Sequence, residues 1–572
     1  MSYDGITMAA VCGELNKNLI GARVEKVYQP RKLEIYIHLR NRENNFILLC
    51  SADARQARVH LAKTKQDNPA APPSFCMLLR KHLIGAKLVS VKQVGLDRIL
   101  ILTFHNSKDM VLEPHKYLIC EIMGKHSNLI LAAPTEKEQW QILGSIKNVP
   151  SSMSRYREVL PGEIYRYPPA HPKMSPNEVT EERLAAAICS IQESSPEHML
   201  VALIMGPGLD MARELVFRAS GGEPLHPLEI VRGLTIELSW LSDILREESF
   251  SPCIAKPDME TSLFSPIPLK RFHPDTLSFF PSVNEALDVY YTMISLQHEE
   301  KELKLNLTQS LNNTLSRIIK KRTLQEKDIR SISDADRFRL YGEMLTAHLH
   351  SLKRTADFVE VINYYSSTQE TLRIPIDMSC SIQENAKKYF KKYRKLKDSS
   401  VIKHRRLKET IQEIKYLESI QAALTYADLE NLYEIRNEME LGGIIKKTKI
   451  QKEKPRVVFS PRHHVSSDGI DIYIGKNNRQ NDLLTLKTAA PDDIWMHTKD
   501  IPGSHVIIKS SDPPDQTLLE AAQFAVRYSK GAASSNVPVD YTHVRHVRKV
   551  KGAKPGMVIY DHHHTLYVTL EN

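Results

Sequence analysis

Short apolar runs rich in β-branched and aromatic residues mark the first 135 or so positions of the chain. They predict strands over 33–39, 46–50, 98–104, 117–122 and 128–132. Between them, Ser74–Leu83 reads as a helix entered from the turn-forming AAPP at 70–73. The pattern repeats. Leu15-x-Lys17-x-Leu19-Ile20-Gly21-Ala22-Arg23-x-x-x-Val27-x-Gln29 returns as Leu79-x-Lys81-x-Leu83-Ile84-Gly85-Ala86-Lys87-x-x-x-Val91-x-Gln93, 64 residues later. Each copy predicts a helix, a glycine stop and then strands. Gly21 and Gly85 suit the left-handed helix-end position that glycine adopts cheaply. Two such units imply one sheet domain built from an α/β repeat.

Downstream the period changes. Residues 150–176 read as loop, and 177–235 as a small helical module containing Leu203-Ile204-Met205-Gly206-Pro207-Gly208-Leu209. An apolar-x-Gly-Pro-Gly turn between apolar helices is a helix-hairpin-helix signature. Its glycine N–H groups and the next helix N-terminus can receive a phosphate; a plain packing corner is the competing reading. Residues 285–354 and 382–440 are long and helical. Leu303, Leu307, Leu311, Leu315 and Ile318 form one seam, and Leu407, Ile411, Ile414, Leu417 and Leu424 the other, at three- and four-residue spacing. With the strand-like, Pro-bearing 355–381 as tip, this predicts an antiparallel coiled-coil arm. At 1.5 Å per residue, ~40 helical residues reach ~60 Å. A Lys-rich linker at 444–454 leads to a C-terminal α+β domain. It is predicted to hold strands near 457–460, 470–474, 537–541 and 557–560 and a helix over 517–529.

The 572 residues allow three to four domains at ~150 residues each. With 42% hydrophobic and 26% charged residues, disorder and collagen are excluded as the general character. No run matches a membrane span, and the N-terminus lacks the pattern of a signal peptide. Seven scattered cysteines without a CxxC argue for free thiols in a reducing compartment. The net charge of +10 is uneven: residues 446–572 hold 19 Lys and Arg against 13 Asp and Glu, so this segment alone contributes +6. A basic module points to an anionic partner or to simple solubility. No phosphate-loop, GxSxG or HExxH motif is present. The histidines His463-His464 and His562 to His564 are adjacent, and adjacent residues of a strand face opposite ways, so no metal and no cofactor are expected.

Three polar groupings remain. Asp97-Arg98 opens an apolar strand, either as a local ion pair or as a guanidinium aimed at a phosphate or base edge. The turn around Glu121, Gly124, Lys125, His126, Ser127 and Asn128 concentrates donors suited to a ribose-phosphate backbone. The segment 385–397, NAKKYFKKYRKLK, holds seven Lys/Arg, including Lys388, Lys391, Lys392 and Arg394. Tyr389, Phe390 and Tyr393 are interleaved with them. It reads equally as a nucleic-acid patch or as a solvated helix face with an inward aromatic stripe.

Together with Gly206-Pro207-Gly208 and Trp495-x-His497-x-x-Asp500-x-x-Gly503-Ser504-His505-Val506, these motifs occur in the order found in the NFACT family, which the chain resembles along essentially its whole length. The bacterial ribosome-associated quality-control factors belong to that family. The resemblance implies an NFACT-N domain over 1–176, with 236–284 packing on it. It implies a helix-hairpin-helix module over 177–235, an arm over 285–445 and an NFACT-R domain over 446–572. It also implies a cytoplasmic factor that binds the large (50S) ribosomal subunit carrying peptidyl-tRNA, contacting rRNA. The factor recruits tRNA, expected to be alanyl, and directs template-free alanine tailing, with an accessory RNA-binding protein as a possible further partner. The ribosome makes the peptide bond, so the factor is not itself an enzyme. Asp97 and Arg98 match the family's tRNA-recognition pair. Glu121, Gly124, Lys125, His126 and Ser127 fall in a second motif assigned here to tRNA. Gly206, Gly208, Lys388, Lys391, Lys392, Arg394, Trp495, His497, Asp500, Ser504 and His505 are assigned to RNA or ribosome contact. At fold level the N-terminal and hairpin domains also resemble formamidopyrimidine-DNA glycosylases. Met1-Ser2-Tyr3-Asp4 lacks the proline nucleophile of those enzymes and there is no C-terminal zinc finger, so glycosylase chemistry is not expected. A fibronectin-binding surface adhesin is the alternative function; the missing signal peptide, anchor and disulfides speak against it.

Overall fold

A computed structural model describes residues 3–570 except 64–67, 70, 107–114, 170–171, 190–194, 224–228, 259–260, 331–334, 353–355, 367–369 and 448–459. The chain forms two compact units, Met1–Ser295 and Leu296–Asn572. Most of the expected strand at 457–460 and the second half of the 444–454 linker lie outside the described residues.

The first unit begins with helix α1 (Gly5–Leu19), followed by β1 (Arg23–Arg31), β2 (Glu34–Arg40), β3 (Asn45–Ser51) and β4 (Arg58–Leu61). Helix α2 (Ser74–Leu83) then leads to β5 (Lys87–Gln93), β6 (Ile99–His105), β7 (His115–Glu121), β8 (Asn128–Pro134) and β9 (Trp140–Ser145). The nine strands form one antiparallel sheet in the order β4-β3-β2-β1-β5-β6-β7-β8-β9. Its centre carries the sequence repeat as a local pseudo-twofold. Arg23 pairs with Lys87, its own counterpart 64 positions on. The Gly21 N–H donates to the Leu88 carbonyl (2.8 Å), and the Gly85 N–H donates to the Val24 carbonyl (2.9 Å). The bulges obey the same offset, between Val24 and Lys26 in β1 and between Leu88 and Ser90 in β5. Gly21 and Gly85 have φ of +82° and +88°, the conformation expected for their helix-end role. Leu15, Leu19, Leu79 and Leu83 of the two helices are buried in one core with Leu48, Leu88, Leu102 and Leu118 of the sheet.

Four helices follow: α3 (Glu181–Cys189), α4 (Pro196–Leu203), α5 (Leu209–Ser220) and α6 (Val231–Glu247). Helix α6 runs twelve residues past the predicted end of the helical module. Its buried face, Leu234, Leu238, Leu241 and Ile244, packs in the core of that same module. A small sheet of β10 (Cys253–Ala255), β11 (Leu263–Ser265) and β12 (Leu277–Phe279) comes next. Phe250, Ile254 and Phe264 from this region join the main sheet's core.

Helix α7 (Val283–Arg330) belongs to the first unit as far as Ser295. Its first N–H groups, at Val283 and Asn284, donate to the Glu14 carboxylate at 2.5 and 3.0 Å, a charge placed favourably at a helix N-terminus.

In the second unit α7 continues, followed by α8 (Ala335–Ala347), the hairpin β13 (Phe358–Ile362) and β14 (Thr371–Pro375), α9 (Ile382–Thr425) and α10 (Leu429–Leu441). Ser381 and Glu384 form a reciprocal capping box at the start of α9. The paired seam contains Leu307, Leu311, Ile318, Ile414, Leu417 and Leu424 as expected, but Ile411 is 38% exposed. Among the buried α9 positions, Thr410, Ile414, Leu417, Ile420 and Leu424 follow one line along the seam. Their spacing of three to four leaves Ile411 one position, about 100° of helix turn, off the seam. Ile414→Asp is therefore expected to cost ~2–5 kcal/mol from the lost isoleucine packing alone, and more for the buried charge. Ile411→Asp should change stability by less than ~0.5 kcal/mol. Urea unfolding followed by helical circular dichroism checks both.

The C-terminal sheet contains β15 (Arg462–Val465), β16 (Asp471–Ile474), β17 (Ile494–Thr498), β18 (Val506–Ile508) and β19 (Val537–His543). Helix α11 (Asn478–Leu483) precedes β17, and α12 (Asp515–Arg527) lies between β18 and β19. After β20 (Val547–Arg548) and β21 (Ile559–Tyr560), β22 (His564–Val568) completes the sheet, in the order β15-β16-β18-β17-β19-β22. Ala521, Ala522, Ala525 and Val526 of α12 cover one face.

Candidate nucleic-acid interface

Two turns meet at one end of the first unit's sheet. Ile99 of β6 pairs with Glu121 of β7, and one step further the Ile122 N–H donates to the Arg98 carbonyl at 2.8 Å. The register thus sets the Asp97-Arg98 turn beside the turn Gly124–His126. In the first turn, the Asp97 carboxylate accepts the Arg98 backbone N–H at 2.7 Å. The Gln93 side chain donates to the Gly5 and Asp97 carbonyls at 2.9 and 2.8 Å. Gly95 supplies the φ of +55° that closes the turn. Asp97 is thereby a positioning group, and the half-buried Arg98 is the one that can reach a ligand. In the second turn, Gly124 has φ +61°, and the buried Ser127 hydroxyl accepts the Met123 N–H at 2.8 Å. This presents Lys125 and His126 to solvent at the tip.

A further cation was not legible in the sequence. Lys173 lies in a loop without periodicity, yet it sits close enough to Arg98 and Asp97 to feel both charges. Burial, and then the neighbouring guanidinium, hold its ammonium below the usual lysine range. The Lys173 ammonium donates to the Val201 carbonyl at 2.7 Å, and the Asp97 carboxylate offsets part of the repulsion between the two cations.

Glu121 is not part of this surface. It is fully buried and forms a two-pronged ion pair with Arg157, both N···O distances 2.6 Å; Tyr165 Oη donates to it at 2.9 Å. Its expected contact with tRNA is corrected to a structural tie that fixes the 150–165 loop on the sheet. Sequence reasoning missed this because Arg157 is 36 positions away in a loop without pattern. Ser127 likewise holds the turn from inside.

The Gly-Pro-Gly hairpin is also occupied. Gly206 has φ +108°, and a Cβ there would lie 2.7 Å from Ile6 Cδ1. Its carbonyl accepts the Gly5 N–H at 2.9 Å. The Gly208 N–H, expected to await a phosphate, donates to Asp4 Oδ2 at 2.8 Å, while Asp4 Oδ1 accepts the Thr7 N–H at 2.8 Å. One buried carboxylate thus caps α1 and meets the start of α5, and burial raises its pKa. The hairpin packs the helical module onto α1.

In the second unit, the patch at 385–397 divides by face. Tyr389 is buried, donating its hydroxyl to the Pro375 carbonyl at 2.5 Å, and stacks on Phe338 of α8. Phe390 lies against Gly342. Tyr389 and Phe390 are thus packing residues and not base platforms, while the half-buried Tyr393 carries Lys397 over its ring. Lys391 and Arg394 are exposed. Lys388 pairs with Asp377 at 2.6 Å, and Lys392 lies over the Phe338 and Tyr389 rings.

In the C-terminal sheet, Trp495, His497 and His505 form a cluster. Trp495 stacks over His497 (5.9 Å between centroids) and meets His505 edge-on (5.3 Å). Burial depresses the pKa of both imidazoles, His505 strongly, so both are neutral at pH 7. His505 Nδ1 is 2.8 Å from the Thr485 hydroxyl. The three rings line a cavity of about 190 Å³ with Asn478, Gly503 and Tyr416. Asp500, with φ +56°, pairs at its rim with Lys415 of α9 at 3.2 Å. Ser504 uses its N–H on the Tyr528 carbonyl. Buried polar groups join this sheet domain to the arm: Asn478 Nδ2 donates to Glu438 (3.0 Å) and Gln480 Nε2 to Glu434 (2.9 Å). The run 477–482, NNRQND, was the unread signal, because surface-like amides give no hint of burial.

A cationic pair of turns on a repeat-built sheet, a helical arm and an antiparallel sheet domain with a buried Trp-His cluster define a multidomain α+β protein. Family models match in this order: NFACT N-terminal and middle domains over residues 4–457, and the NFACT protein RNA binding domain over 458–561. The chain belongs to the NFACT family. It is 37% identical over 571 residues to the Rqc2 homolog RqcH of Bacillus subtilis (strain 168), covering 100% of this chain and 98% of that protein. It is 36% identical to the Rqc2 homolog RqcH of Streptococcus pneumoniae serotype 2 (strain D39 / NCTC 7466) with the same coverage. The crystal structure of the fibrinogen binding protein from Staphylococcus aureus aligns at 26% identity and a TM-score of 0.43, over 51% of this chain and 99% of that one. Among the described residues, no helix is long and apolar enough to cross a membrane.

Proposed function

We propose that this protein is a ribosome-associated quality-control factor. It binds large ribosomal subunits obstructed by peptidyl-tRNA, recruits tRNA, and directs template-free alanine tailing of the stalled chain, with the ribosome making the peptide bond. The observation that carries the reading is Arg98, near Lys173, on a turn beside the one that exposes Lys125 and His126, in a chain related to RqcH over its full length. Guanidinium and ammonium groups held on turns by main-chain bonds are matched to phosphates and base edges. The exposed Lys391 and Arg394 and the basic C-terminal segment supply further phosphate contacts. On this reading the protein is a factor working in the cytoplasm and not an enzyme.

Purification of the tagged protein from cells, sedimentation and sequencing of the co-purifying RNA test this. The expected result is co-sedimentation with large subunits and enrichment of one tRNA class, that for alanine. Subunit affinity should fall on the order of a hundredfold or more between about 50 and 200 mM salt, as phosphate contacts require. Fractionation with the cell envelope and no enriched RNA would favour the fibronectin-binding adhesin instead. Binding indifferent to salt would sink the electrostatic account.

A further inference from the structure

The C-terminal sheet domain brings together histidines that are far apart in sequence. His546 ends a single helical turn, Val544–His546, while Asp561 and His562 follow β21. One ligand atom from each of these three residues lies within 4.8 Å of the others. His546 Nδ1 is already 3.6 Å from Asp561 Oδ1, and the rings of His546 and His562 are 4.8 Å apart. In a tetrahedral zinc site with bonds of ~2.0–2.2 Å, donor atoms stand roughly 3.4 Å apart. Small side-chain rotations therefore close the set.

The backbone supports the convergence. His562 has φ +50°, a left-handed conformation uncommon for a residue other than glycine. The Thr542 hydroxyl lies 3.1 Å from both the Asp561 and the His562 carbonyls, tying this turn to β19. The His562 ring lies beside that of His546 from this turn, 4.8 Å between centroids. The Arg548 guanidinium lies 3.5 Å from the other carboxylate oxygen of Asp561, leaving Oδ1 for a cation. His543 and His564 line the adjoining cavity of about 290 Å³.

We propose that His546, Asp561 and His562 form a binding site for a divalent transition-metal ion of the zinc class. Two imidazoles and one carboxylate select zinc, nickel or copper over magnesium and calcium, which favour all-oxygen sets. Three protein ligands leave a fourth position facing the cavity, open to water or an anionic oxygen. The ion ties the Val544–His546 turn to the turn after β21. The partner of His562 comes from a different element and not from its sequence neighbours, which is why the run His562 to His564 gives no sign of the site. This inference stands independently of the ribosomal reading.

The test is calorimetric titration of the full chain with zinc alone, and with magnesium alone, for the wild type, His562→Asn and His546→Gln. Asparagine tolerates positive φ, so His562→Asn removes the imidazole and keeps the turn. Wild type is expected to take up one zinc ion that each variant binds at least about tenfold more weakly. Cobalt substitution should give a visible d–d spectrum in wild type that both variants lose. Zinc should raise the melting temperature of wild type and not of the variants. Should one variant melt lower without metal, the other decides. Equal zinc affinity and stoichiometry in wild type and variants, no zinc uptake by wild type, or magnesium bound as well as zinc would each overturn the site.

Discussion

Arg98→Ala is expected to lose tRNA, and with it tail synthesis, while leaving the fold and subunit binding intact. The turn is closed by the Asp97 carboxylate on the Arg98 N–H, by the Gln93 side chain on the Asp97 carbonyl and by main-chain bonds at Val94 and Ile122. These bonds are made by the main chain, Asp97 and Gln93, so the turn should survive; the Arg98 charge also favours the buried Asp4 carboxylate, so a modest loss of stability, ~1 kcal/mol, is expected. A forked guanidinium contact to a phosphate or base edge is worth ~1–3 kcal/mol, about a five- to two-hundredfold loss of affinity. Lysine should rescue poorly, because it keeps the charge without the fork. Asp97→Asn preserves an oxygen to accept the Arg98 N–H and should be milder than Asp97→Ala. RNA recovered with each tagged variant, and mass spectrometry of a stalled reporter's C-terminus, provide the readout. An alanine variant that recovers the same tRNA and still extends the reporter would show that the pair is structural.

Glu121→Ala is expected to act through folding. It strands the Arg157 guanidinium, 13% exposed, without its carboxylate and removes the acceptor of the Tyr165 hydroxyl. Breaking a buried ion pair from one side costs ~3–5 kcal/mol, because the remaining charge stays desolvated. Arg157→Ala should be as damaging, since it leaves a fully buried carboxylate without its cation and with the Tyr165 hydroxyl still donating to it. Replacing both with methionine should cost much less than the sum of the two single losses. Urea unfolding of the wild type and the three variants measures these losses. RNA binding at low temperature, where the variants remain folded, should be reduced far less than by Arg98→Ala. A Glu121→Ala protein that unfolds like wild type yet releases its RNA would restore Glu121 to the interface.

Local signals carried far in this chain. The 64-residue repeat was readable because the same helix-stop-strand constraints act twice, and the structure renders it as paired hydrogen bonds with the same offset. The left-handed glycines, the helix Ser74–Leu83 and most of the arm's seam were readable for the same reason: each depends on residues within one or two turns. The hidden features were partnerships across sequence. Whether a polar residue faces solvent or a distant partner is decided by packing, which local composition does not encode. The Glu121 carboxylate and the Gly208 N–H read locally as groups open to a ligand, but Arg157 and Asp4 occupy them. Tyr389 and Phe390 looked like stacking platforms until α8 covered them. Lys173 reached Arg98, and His562 reached His546, only through tertiary convergence. Family membership, the order of elements and the residue types available for chemistry are therefore legible from local pattern. The tertiary structure alone decided which of those groups remain free to act, because a buried charge or N–H must be satisfied by whatever the fold brings to it.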